Sequence, residues 1–94
     1  MAAKTPARSV HATLSGTTAD SITWSGAPFS TVAVTNRHAT VTLYVRVDAT
    51  TAVAAADGTY AVLPLQSKVF SLGPVQNAAM SIVGNGNDYS VEGL

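Results

Sequence analysis

Short runs that alternate apolar and polar residues, each broken by a turn signal, constrain this chain more than any other feature. In "ATVTLYVRVD" (residues 39–48), Val41, Leu43, Val45 and Val47 fall on one side of an extended strand, and Thr42, Tyr44 and Arg46 fall on the other. The same period of two runs through "SVHATL" (9–14), "SITW" (21–24), "STVAVT" (30–35), "TYAVL" (59–63), "KVFSL" (68–72), "AAMSIV" (78–83) and "YSVEGL" (89–94). Between these runs lie "SGTTAD", "SGAP", "NRHA", Asp57-Gly58, Pro64, Gly73-Pro74 and "GNGND". Turn signals about every 8–12 residues mark an antiparallel sandwich or barrel. No window holds a 3.6-residue apolar period over a helical length. The expectation is an all-β fold, a small antiparallel β-sandwich or barrel of about seven to eight short strands. "NRHA" (36–39) and "GNGND" (84–88) read as hairpin turns, while 48–58 reads as loop, edge strand or one helical turn.

Residues 1–8 carry Lys4, Pro6 and Arg8 among alanines. Pro6 lacks an N–H and biases Thr5 towards an extended form, so 1–8 reads as an extended N-terminal arm that orders on contact. Residues 9–94 form the single β-sandwich domain, with no internal repeat.

Ninety-four residues make a thin core. Apolar residues are 47% of the chain, but it holds one Trp, two Phe and three Tyr, and much of the rest is Ala and Val. Small side chains bury less area, so a chain like this gains from neighbours that add burial. Charged residues are 11%, with five basic against five acidic. That balance argues against nucleic acid as partner, which calls for a basic stripe. It also leaves a surface that tolerates dry packing against another protein. No cysteine is present, which excludes disulfides, thiol catalysis and zinc-thiolate sites. "MAAKTPARSVHATL" lacks a secretory apolar run, and no segment approaches the ~20 apolar residues of a membrane span. A soluble product without a membrane partner is expected.

The candidate chemistries have simpler accounts. His11 and His38 with Asp20, Asp48, Asp57 and Asp88 are the residue types of a metal site, but no local spacing converges them. Solvated histidines suffice, and neither has a serine that strand geometry aims at it. "GNGND" offers one carboxylate where calcium wants six to eight oxygens, and a turn using Asn and Gly accounts for it. No GxSxG elbow and no facing pair of acids is present. The expectation is no enzyme, no cofactor, no metal and no small-molecule substrate. Trp24 shares parity with Ile22 and reads as core. Tyr60 and Tyr89 open strands after turns and read as half-buried rings with wet hydroxyls. Tyr44 points away from the apolar side beside Arg46, as in contact surfaces, or else packs across the sheet.

The run "VAVTNRHATVTLYVRVDATT", followed by "ADGTYAVLP", "SKVFSL" and a closing "YSVEGL", resembles small β-sandwich structural proteins of tailed bacteriophages, most of all capsid decoration (cement) proteins. The likeness spans roughly residues 30–94 and rests on composition and order. It implies a non-enzymatic virion structural protein, made in the host cytoplasm and carried on the capsid surface. Many copies would bridge subunits of the major capsid protein, with the chain as a homo-oligomer, a trimer being favoured. Lys4 and Arg8 would then meet acidic capsid loops, and Arg37, Tyr44 and Arg46 would supply subunit or capsid contacts. A tail or fibre module of the virion and a carbohydrate- or receptor-binding module remain as alternatives.

Overall fold

The computed structural model describes the backbone of residues 2–4, 9–25, 31–47, 52–71 and 77–94; of these, the side chains of 2–4, 24–25 and 77–79 are not described. Nine strands form within it: β1 (Ala2–Lys4), β2 (Ser9–Thr13), β3 (Asp20–Ser25), β4 (Thr31–Asn36), β5 (Leu43–Arg46), β6 (Tyr60–Val62), β7 (Ser67–Ser71), β8 (Asn77–Val83) and β9 (Asp88–Gly93). No helix occurs among the described residues. The all-β expectation is therefore met. Eight strands pair antiparallel in two sheets, ordered β3-β8-β5-β6 and β2-β9-β4-β7. β1 adds itself parallel to β3, with Lys4 level with Ile22.

The pairings are nested. β2 pairs with β9, β3 with β8, β4 with β7 and β5 with β6. The chain is thus one long double strand with its tip between β5 and β6, and it is rolled up so that β4 also meets β9 and β5 also meets β8. That is the strand order of a jelly roll. It corrects two expected turns. Residues 36–39 and 84–88 do not close hairpins: each carries the chain across from one sheet to the other. Turn residues are needed at either kind of corner, so their presence did not distinguish them.

The period of two sets the core. Val32, Val34, Leu43, Val45, Ile22, Met80, Ile82, Tyr89 and Val91 are fully buried between the sheets, joined by Leu14, Val62 and Phe70. Val10, Ala12 and Val47 pack at its margin. Replacing Ile22, Leu43, Met80 or Ile82 with alanine costs about 2–5 kcal/mol. β5 is shorter than the alternation of 40–47 suggested. It begins at Leu43 because the Val41 carbonyl accepts side-chain amide hydrogens from Asn36 and Asn87, both at 2.8 Å.

The outer faces of the two sheets differ. The β5–β6 connection folds back over β3-β8-β5-β6, where the Ala52 N–H donates to Ser81 Oγ at 2.9 Å. Ala19, Ala52 and Val83 form a second apolar cluster there. The described part of that connection, residues 52–59, consists of turns rather than a strand, with Gly58 at φ +85° as Asp57-Gly58 foretold. The outer face of β2-β9-β4-β7 instead carries mostly serine, threonine and alanine, with His11, Glu92 and Val69 among them. Residues 5–8, 26–30, 48–51 and 72–76, including Arg8, Asp48 and the "SGAP" and Gly73-Pro74 turns, lie outside the described residues, as does the Trp24 side chain.

Candidate functional site

Four of the five expected contact residues fall within the described backbone. Lys4 ends β1, and Arg8 falls outside the described residues. Arg37 is exposed at the β4–β5 corner, where its N–H donates to the Asp88 carbonyl at 2.9 Å. Tyr44 is half-buried, packed against the Ala19–Ala52–Val83 cluster. The Arg46 Nη1 donates to the Asp57 carbonyl at 3.0 Å. A Cβ built on Gly58 would stand 2.8 Å from that nitrogen, so the guanidinium sits against a backbone only glycine leaves open. Tyr44 and Arg46 thus share one task, clamping the β5–β6 connection onto its sheet. Arg37 stands apart from that connection, at the β4–β5 corner beside Asp88.

Both histidines and Asp88 hold hydrogen bonds. His38 Nδ1 accepts hydrogen bonds from the N–H groups of Thr40 and Val41, both at 3.1 Å, and so shapes the corner after β4. The Thr13 hydroxyl donates to Asp88. His11 Nδ1 lies 2.7 Å from Ser90 Oγ, directly across the β2–β9 pair. A serine beside a histidine was not expected; the residues are 79 apart in sequence, and only the nested pairing makes them neighbours. The pair stands on the open outer face, in one row with a second bond of 2.7 Å between Thr35 Oγ1 and Ser67 Oγ. Among the described residues no three His, Asp or Glu side chains group as metal ligands, and no described helix is long and apolar enough to cross a membrane.

One end of the sandwich holds its buried polar groups. Tyr89 is fully buried, and its hydroxyl donates to Asp20 Oδ2 at 2.6 Å, tying β9 of one sheet to β3 of the other. The expected wet hydroxyl is therefore corrected: Tyr89 shares parity with buried Val91. Burial first, then the hydrogen bond and the negative charge of Asp20, push the Tyr89 phenol far above its ordinary value. Beside it, Asn36 Nδ2 donates to the carbonyls of Val41 and Val62, while its Oδ1 accepts from the His38 N–H and from Asn87 Nδ2. Among the described residues no buried side-chain polar atom lacks a partner. These groups are structural staples between sheets, with all donors and acceptors satisfied.

What the fold does not use lies along the margin where β6 and β7 form edges of the two sheets. Tyr60, Leu63, Leu65 and Val69 are 50, 58, 68 and 60% exposed, four large apolar side chains within ten residues. A shallow groove of about 310 Å³ runs between the edges, lined by Ala61, Val62, Leu63, Gln66, Ser67 and Lys68. Tyr60 stands edge-on to Phe70, ring centres 5.6 Å apart. Scattered exposed apolar residues are ordinary, whereas a contiguous group marks a contact surface.

The turn joining these edges carries a second signal. The Gln66 N–H donates to the Leu63 carbonyl at 3.0 Å, Pro64 follows Leu63, and Leu65 has φ +60°. That is the pattern of a type II turn, whose third position suits glycine or asparagine. A leucine held there costs about 1–2 kcal/mol of backbone strain. Its side chain recovers nothing from the core, being the most exposed large apolar residue described. The sequence carried this signal in "LPL", two leucines inside a turn where polar residues are usual, but parity arguments do not reach turn residues. No protein-family model and no curated protein matches the chain.

Proposed function

We propose that this chain is a non-enzymatic virion structural protein that binds the outer surface of a phage capsid and stabilises it by bridging major capsid subunits. The observation that carries the reading is the β6–β7 margin, where Leu63 and strained Leu65 stand out from a rigid double sheet. Such a margin suits adhesion without a deep pocket. The zero formal net charge and low charged fraction favour a dry contact with another protein. The run over residues 30–94 supports a phage structural protein, and the jelly-roll order occurs in viral capsid domains, though also in lectins and cupins. Copies joined together gain avidity, so a capsid can be held by many modest contacts.

The test is cosedimentation with heads and tails purified from the virion that carries this chain. Wild type binds heads saturably, and Leu63→Asp weakens that binding at least tenfold while leaving the fold intact, since the side chain is exposed. Leu65→Gly is more telling. It relieves the turn and raises folding stability by up to about 1 kcal/mol, yet it weakens head binding. Equal head binding by both variants and wild type contradicts the proposal. Binding to tails alone makes the chain a tail or fibre module. The carbohydrate reading draws on the half-exposed Tyr60 ring; glycan binding lost in Tyr60→Ala, with heads ignored, selects it.

A further inference from the structure

We infer that β7 is a self-pairing edge: two copies of this chain join antiparallel through Ser67–Ser71, turning two four-stranded sheets into one continuous sheet of eight. The inference does not rest on capsid binding, because it concerns the isolated chain.

Backbone geometry supplies the first reason. The Asn36 N–H donates to the Gln66 carbonyl at 2.9 Å, so residue 66 points its backbone groups at β4. In an antiparallel ladder these directions alternate along the strand. Lys68 and Phe70 therefore face β4, opposite Val34 and Val32, and Ser67, Val69 and Ser71 turn their N–H and C=O groups to the far side. Among the described residues no strand pairs with β7 there. Three consecutive donor–acceptor positions are thus open on a five-residue strand without proline. Natural edges of this kind are usually shortened, bulged or charged. The other sheet's edge at β6 is three residues long.

Self-complementarity supplies the second. A two-fold axis through Val69 sets Val69 of one copy against Val69 of the other, and Ser67 against Ser71. The three outward residues of each copy then close up to about six N–H···O bonds. Exposed Val69 gains its apolar neighbour on the outer face. Lys68, the one charge on the strand, comes opposite Phe70 of the second copy. Centring the axis on Lys68 would place like charges face to face, which destabilises a pair. The groove lined by Lys68 and Leu63 opens beside the same edge, so a strand laid along β7 also roofs it. β2, the far edge of that sheet, leaves the backbone groups of Ser9, His11 and Thr13 open in the same way. It offers no apolar outward side chain to meet its copy across an axis, however, and the side chains of His11 and Thr13 bond back to Ser90 and Asp88 of β9. A two-fold contact of this kind makes a dimer, where the phage resemblance implies a trimer.

The experiment is sedimentation equilibrium of the purified chain from micromolar to millimolar concentration, with amide exchange measured alongside. Wild type passes from monomer to dimer. The N–H groups of Ser67, Val69 and Ser71 gain protection with concentration, while those of Lys68 and Phe70, already bonded to β4, do not. Val69→Lys brings two charges together at the axis and stays monomeric, with an unchanged melting temperature. Val69→Pro does the same by removing an N–H the fold does not use; if it fails to fold, Val69→Lys carries the test. Wild type that stays monomeric at millimolar concentration overturns the inference, as does a trimer, or a Val69→Lys dimer as tight as wild type. Head binding is scored separately with Leu63→Asp, which leaves the β7 backbone free to pair.

Discussion

Asn36→Ala lowers folding stability by about 4 kcal/mol, enough to move the melting midpoint down by roughly 15–30 °C for a domain of this size. The side chain is fully buried, and it links four groups from three corners of the chain. Truncation leaves the Val62 carbonyl, the His38 N–H and one Asn87 amide hydrogen dry and unpaired. Each such orphan costs about 1–3 kcal/mol. Val41 keeps its bond from Asn87, which limits the loss. Asn36→Asp preserves the shape but sets an oxygen against the carbonyls of Val41 and Val62, so it destabilises at least as much. Gly84→Ala attacks the same network from the other side. A Cβ there would stand 2.9 Å from Asn87 Cγ and closer still to Oδ1, displacing the amide that accepts the Asn85 N–H at 2.8 Å. Chemical denaturation of the three variants checks this, with Thr35→Ala on the exposed row as a control expected within ~0.5 kcal/mol of wild type. An Asn36→Ala loss below about 1 kcal/mol would show that these amides do not hold the corners.

The second large effect is alkaline. Tyr89 keeps its proton in the fold at pH values where an ordinary tyrosine, near 10.0, ionises in the unfolded chain. Above that point the unfolded state binds fewer protons than the native state, so stability falls as pH rises. The stabilisation is fully present below about pH 10 and is lost above it at about 1.4 kcal/mol per pH unit. Tyr89→Phe removes this alkaline loss and instead costs about 2 kcal/mol at neutral pH, because the Asp20 carboxylate loses its phenol donor. Urea titrations of both proteins from pH 7 to 11.5 give the comparison. Parallel curves for wild type and Tyr89→Phe would mean the phenol is reached by solvent.

Much of the fold is legible in the period of two. Val32 and Val34, Leu43 and Val45, and Val91 lie inside as their parity requires, and the turn at Asp57-Gly58 sits where its residues put it. The corners were not legible. Asn36 and Asn87 look like ordinary turn residues in sequence, and nothing local reveals that their amides are buried and bond each other across 51 positions. The same long reach hides His11 from Ser90 and Asp20 from Tyr89. Tyr44 and Arg46 do face outward, but what covers them is a connection whose path no alternation encodes. The adhesive margin was hidden for the converse reason: Leu63 and Leu65 belong to a turn, where hydrophobicity has no parity to be judged by.

The nested pairing also has a kinetic consequence. Among the described strands only β5 and β6 are neighbours both in sequence and in a sheet, so almost every pairing closes a long loop. Folding in the millisecond-to-second range is expected, as for other folds of non-local pairing.

Hydrogen exchange of the chain, free and bound to purified heads, locates the contact directly. New protection is expected in residues 60–71, around the Leu63–Gln66 turn, with the Ser9–Thr13 edge unchanged. Protection confined to Ser9–Thr13 or to the outer face around His11 and Ser90, with 60–71 exchanging as freely as before, would contradict it.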